Sequence, residues 1–146
     1  MMSRMPCFYN VVSPKNVLYS NRNINDTWKQ NMDPICEACL ETADPADQKD
    51  IDAFIESSEE WILVEEDDTP KLTKVYKFSN FEEAQVYTNK VGRLAEDVGH
   101  HPVIVLQWGS VQVNWWSHKI KNIHPLDLIL AERCDREYNE MKQIQV

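Results

Sequence analysis

With 146 residues, 42% hydrophobic side chains and 10% aromatics, the chain has the composition of one folded domain with its own core. Its formal charge of −9 argues against nucleic acid as a direct ligand, because phosphate binding needs a basic surface. No apolar run approaches a membrane span and no signal-peptide core opens the chain, so the cytoplasm is the expected location.

Residues 1–35 are rich in Asn, Ser and Pro and hold no sustained period; they read as an irregular extension, and 36–146 as the folded domain. Cys36-x-x-Cys39 is half of a zinc-ribbon pattern with no second half. Together with Cys7 and Cys134 these residues read as reduced thiols, since a core of this size does not need disulfides.

Asp44-Pro45 predicts the start of a short helix, with Ile51, Phe54 and Ile55 as its apolar face. Trp61–Val64 reads as a strand, Glu65–Pro70 as an acidic, solvated connection, and Lys71–Phe78 as a second strand with Leu72, Tyr76 and Phe78 on one side. Asn80-x-x-Glu83 has the form of a capping box. It opens the longest helix, whose stripe is Ala84, Tyr87, Val91, Leu94 and Val98.

Gly99 sits where a helix end wants a left-handed residue, and Pro102 biases His101 towards extended backbone. His100 and His101 therefore enter a strand, where neighbouring side chains point apart, and different roles are expected of them. Val103–Leu106 and Val111–Trp116 read as a hairpin turning at Gly109-Ser110. Val111, Val113 and Trp115 share one face, while Gln112, Asn114, Trp116 and His118 share the other. That second face, if no helix covers it, invites self-association or a ligand. Pro125 starts a last helix burying Cys134, Tyr138 and Met141.

The order helix, strand, strand, helix, strand, strand, helix predicts an α+β domain: a four-stranded antiparallel sheet with three helices on one face. All four histidines (His100, His101, His118, His124) fall between Glu96 and Asp127, and histidine is the side chain that most readily moves protons near neutral pH. The hairpin can return His118 beside His100 and His101. Glu96, one turn earlier, is a candidate acceptor for that pocket. Asp127 ranks lower, because a carboxylate in a first helical turn is favoured by the helix dipole whatever its function. His124 reads as an exposed residue near a helix cap.

Glu96-x-x-x-His100-His101-Pro102, an aromatic at Trp108, Val111-x-Val113, Ser117-His118 and Asp127 together resemble the pterin-4a-carbinolamine dehydratase family. The likeness runs over roughly 36–138 by position and element order. Cys36–Cys39 and Trp115-Trp116-Ser117-His118 look most like its bacterial-type branch.

The resemblance implies dehydration of 4a-hydroxytetrahydrobiopterin to the quinonoid dihydropterin, which recycles the cofactor of aromatic amino acid hydroxylases. It implies no metal or organic cofactor, a homodimer or homotetramer, and a functional link to such a hydroxylase. His100, His101 and His118 match the catalytic positions. Glu96, Pro102, Ser117, Lys119, Ile120 and Asp127 join them as substrate-binding positions. Losing the 4a-hydroxyl needs a proton on the departing oxygen and removal of the N5 proton, which imidazoles supply. His100 and His118 are the expected acid/base pair, with His101 holding the pterin and Asp127 orienting a histidine. The chain departs from the family pattern at Gly99, Ile104 and Leu126 and keeps all three histidines.

Three other readings compete. Three histidines and a carboxylate are a feasible zinc set, although adjacent histidines before proline rarely converge on one ion. A non-catalytic dimerisation or coactivator module is the second. The third is an enzyme for another pterin, such as one of molybdopterin metabolism.

Overall fold

The computed structural model describes residues 40–144; the extension expected over 1–35, with Cys36 and Cys39, lies outside the described residues. Among those described, three helices and four strands follow in the anticipated order: α1 (Gln48–Ser57), β1 (Ile62–Glu66), β2 (Thr69–Lys77), α2 (Phe81–Val98), β3 (Val103–Gln107), β4 (Ser110–Trp115) and α3 (Pro125–Ile144).

Helix α1 buries Ile51 and Phe54 but starts later than the Asp44-Pro45 signal, with Asp47 at its N-cap. The N–H of Ala46 is bound at 2.8 Å by the carbonyl of Ile123, so a tertiary contact holds the entry segment out of the helix. Helix α2 is closed as expected. Asn80 Oδ1 accepts the Glu83 N–H at 2.9 Å, the Glu83 carboxylate accepts the Ser79 N–H at 3.1 Å, and Gly99 ends the helix at φ 67°.

The sheet runs β1-β2-β4-β3, antiparallel throughout. The acidic connection expected over Glu65–Pro70 contracts to Asp67-Asp68, both left-handed (φ 51° and 55°), because Glu65 and Glu66 pair with Pro70 and Thr69. Positive φ at both positions gives a two-residue turn whose twist matches the strands it joins. Pro70 is tolerated in a central strand because the β2–β4 ladder begins only at Leu72.

The second hairpin turns at Trp108-Gly109, one residue earlier than Gly109-Ser110, since Gln107 pairs with Ser110. The end of β2 sets this register. Phe78 N–H donates to the Gly109 carbonyl at 2.9 Å, and a Cβ added at Gly109 would lie 3.1 Å from the Phe78 carbonyl oxygen.

Leu72, Tyr76, Val111, Val113 and Trp115 form the inner sheet face and pack with Ala84, Tyr87, Val91, Leu130 and Cys134 of α2 and α3. The face opposite carries exposed Ile62, Val64, Val75, Val103 and Val105. Trp115 Nε1–H donates to Cys134 Sγ at 3.4 Å; Cys134 is a free thiol, and burial pushes its pKa up to about 12. No helix among the described residues is long and apolar enough to cross a membrane.

Asp135, on α3, ties that helix to the sheet. It accepts Trp61 Nε1–H at 3.0 Å and Tyr76 O–H at 2.7 Å, and pairs with Lys74 Nζ at 2.7 Å. Lys74 is nearly buried and also donates to the Glu59 carbonyl at 2.6 Å. Removing one partner of such a pair strands the other charge away from water. Asp135→Ala should therefore lower unfolding free energy by about 3–5 kcal/mol in a urea titration. The double change Asp135→Leu with Lys74→Met should lose markedly less.

Candidate functional site

The end of α2 and the start of β3 place the first three groups. Gly99 turns the chain out of the helix, and His100 and His101 then diverge as the extended backbone requires. His100 is buried (4% exposed) and its ring lies stacked on Trp115, centroids 5.7 Å apart at 19°. His101 faces solvent. Its Nε2 is 3.0 Å from Glu96 Oε1, so the carboxylate one turn earlier meets a histidine, and that histidine is His101.

The β3–β4 hairpin returns the chain, and Ser117 and Asn122 close a loop by backbone hydrogen bonds of 2.9 and 3.4 Å. Lys119 and Ile120 lie in this loop and Ser117 at its buried root. His118 is exposed, packed 4.2 Å from Trp116, with Nε2 3.3 Å from the His101 carbonyl oxygen. A carbonyl only accepts, so His118 Nε2 is the donor in that contact, and Nδ1 is the nitrogen left to exchange protons. The structure thus brings His118 against the His101 backbone.

Asp127 is more central than its low rank in the sequence suggested. It is fully buried in the first turn of α3, with Oδ1 2.6 Å from His100 Nε2 and Oδ2 accepting the His124 N–H at 2.8 Å. An ionised carboxylate only accepts, so His100 Nε2 is the donor and Nδ1 is left for other work. His124 corrects an expectation outright. It is 3% exposed, because its ring folds back over the helix start and Nδ1 accepts the Leu126 N–H at 3.1 Å. The His-x-x-Asp spacing was the available signal, a capping box with neither usual residue type.

The arrangement is a buried carboxylate–imidazole pair beneath two exposed imidazoles, one of them held by a carboxylate. It can give and take protons at two points. Among the described residues no three His, Cys, Asp or Glu side chains gather as a metal-holding set. A groove of about 550 Å³ lies elsewhere, over Phe54, Ser58, Lys74 and Asp135, and includes none of the histidines.

Residues 44–137 match the protein family described as Pterin 4 alpha carbinolamine dehydratase. A protein of Hahella chejuensis named for the same dehydratase is 42% identical over 106 residues, covering 73% of this chain and 95% of that protein. One of Nitrosococcus oceani, named alike, is 45% identical over 101 residues, covering 69% of this chain and 89% of its own. Among solved structures, a transcriptional coactivator/pterin dehydratase from Brucella melitensis has the same fold. Its TM-score is 0.58 at 19% identity, covering 65% of this chain and 99% of that one.

Replacing Asp127 by Ala orphans two buried donors, His100 Nε2–H and His124 N–H. Each is expected to cost roughly 1–3 kcal/mol. Urea unfolding should therefore show Asp127→Ala well below wild type and Asp127→Asn between them, because the amide oxygen retains one acceptor.

Proposed function

Because the chain belongs to the pterin-4a-carbinolamine dehydratase family, we propose that it removes water from 4a-hydroxytetrahydrobiopterin by proton transfer through its histidines, and so recycles the cofactor of an aromatic amino acid hydroxylase. It is a hydro-lyase. In the reaction N5–H loses its proton, the N5 electron pair forms the C4a=N5 bond, and the C4a–O bond breaks as the hydroxyl oxygen takes a proton. Quinonoid dihydropterin and water leave.

The observation that carries this reading is the buried Asp127–His100 contact of 2.6 Å beside the exposed His101 and His118. Asp127 would favour the imidazolium that forms when His100 Nδ1 takes the N5 proton, as a buried carboxylate does for a catalytic histidine elsewhere. His118 would protonate the departing oxygen. Its exposure lets it exchange protons with water between turnovers. His101, steadied by Glu96, would hold the pterin together with Pro102 and the Ser117–Ile120 loop. The sequence 36–146 then functions as the dehydratase unit.

The sheet face left bare by the helices, with Ile62, Val64, Val75, Val103 and Val105 exposed, supports self-association as a dimer or tetramer.

The test follows the decay of 4a-carbinolamine absorbance, with the substrate generated by a hydroxylase. Wild type should accelerate the decay, and His118→Ala should lower kcat by about 10²–10⁴-fold, the usual worth of a general acid or base. Unchanged turnover by a folded His118→Ala variant would remove His118 from the reaction.

A further inference from the structure

The proton transfers above leave one buried histidine unused. His124 precedes Pro125, the first residue of α3, and so stands at the N-cap. Pro125 has no N–H, which makes Leu126 the first backbone donor of the helix. That donor is taken by His124 Nδ1 at 3.1 Å. Asp127 N–H, the next donor, goes to the His124 carbonyl at 2.9 Å. In return the His124 N–H binds Asp127 Oδ2 at 2.8 Å. This is a reciprocal capping box built from imidazole and aspartate, where hydroxyl and glutamate are usual. Its acid member is the carboxylate whose other oxygen meets His100 at 2.6 Å.

From this geometry we infer that His124 is a positioning residue for the dehydration: by capping α3 it fixes the Asp127 side chain, and through Asp127 it fixes the ring orientation and tautomer of His100. With Oδ2 held by the His124 backbone, Asp127 has one orientation in which Oδ1 reaches His100. An Nδ1 that accepts a hydrogen bond carries no proton, so a neutral His124 bears its proton on Nε2. The same Nδ1–H-free state is needed for the cap to exist. The effect on turnover rests on the dehydratase reading; the effect on His100 does not.

The experiment uses the full chain as wild type, His124→Ala and His124→Asn, the last retaining a capping oxygen. Ring nitrogen chemical shifts of His100 and His124 are read by NMR, alongside kcat and KM for the 4a-carbinolamine. In wild type, His124 Nδ1 should show the shift of an unprotonated acceptor; an Nδ1–H tautomer overturns the inference without any variant. His124→Ala should abolish the single His100 tautomer and lower kcat about tenfold with KM unchanged, while His124→Asn recovers both to within about twofold, in keeping with the rate sensitivity to small misplacements. A folded His124→Ala protein with the wild-type His100 spectrum overturns it, as does an Asn variant no better than Ala. Should wild type not turn over the pterin while the His100 spectrum still changes in His124→Ala, the dehydratase reading fails and the positioning role stands.

Discussion

The structure turns on one buried carboxylate. Asp127 is fully enclosed, and burying an ionised group is costly unless its oxygens find donors. Both oxygens do: one takes the backbone of the α3 N-terminus, the other the imidazole of His100. The positive end of the helix dipole adds to the same stabilisation. A single side chain therefore starts the last helix and anchors the histidine that leaves the second. The helix and the site depend on the same hydrogen bonds.

The rest of the fold serves that junction by holding three separated segments in register. The α2 C-terminus delivers Glu96 and His100, the start of β3 delivers His101, and the loop after β4 delivers His118. The aromatic and aliphatic layer between sheet and helices, with Trp115 under His100, keeps these pieces from drifting apart. Asp135 repeats the device about two turns further along α3, where Trp61, Tyr76 and Lys74 converge on a single acid. Polar groups thus lock α3 at its start and at its middle, and buried Leu130, Ala131 and Cys134 fill the span between.

What the sequence revealed was what is local. The capping box at Asn80 and Glu83, the stripe of α2, the left-handed Gly99 and the divergence of His100 from His101 each follow from residues within one or two turns. The errors arose where distant chain segments decide. The start of α1 was displaced by the Ile123 carbonyl, and the second hairpin turned one residue early because Phe78 approaches Gly109. Asp127 and His124 were undervalued for a related reason. Periodicity assigns a residue to a helix start, but it does not show whether another element closes over it. The pairing of Glu96 with His101 instead of His100 was hidden in the same way, since spacing alone places both within reach.

The Asp67-Asp68 turn has a consequence for engineering. Two L-residues there hold left-handed backbone with no glycine between them, a conformation that disfavours side chains by roughly 1–2 kcal/mol per residue. Asn-Gly suits the same geometry far better. The turn closes the β1–β2 hairpin next to the Glu66–Lys71 ion pair, and Lys71 lies over Trp116, the ring packed against His118, so thermal tolerance added there is added at the sheet end that carries the site. A scaffold reinforced there would keep a weakened variant folded long enough for its chemistry to be measured apart from its folding.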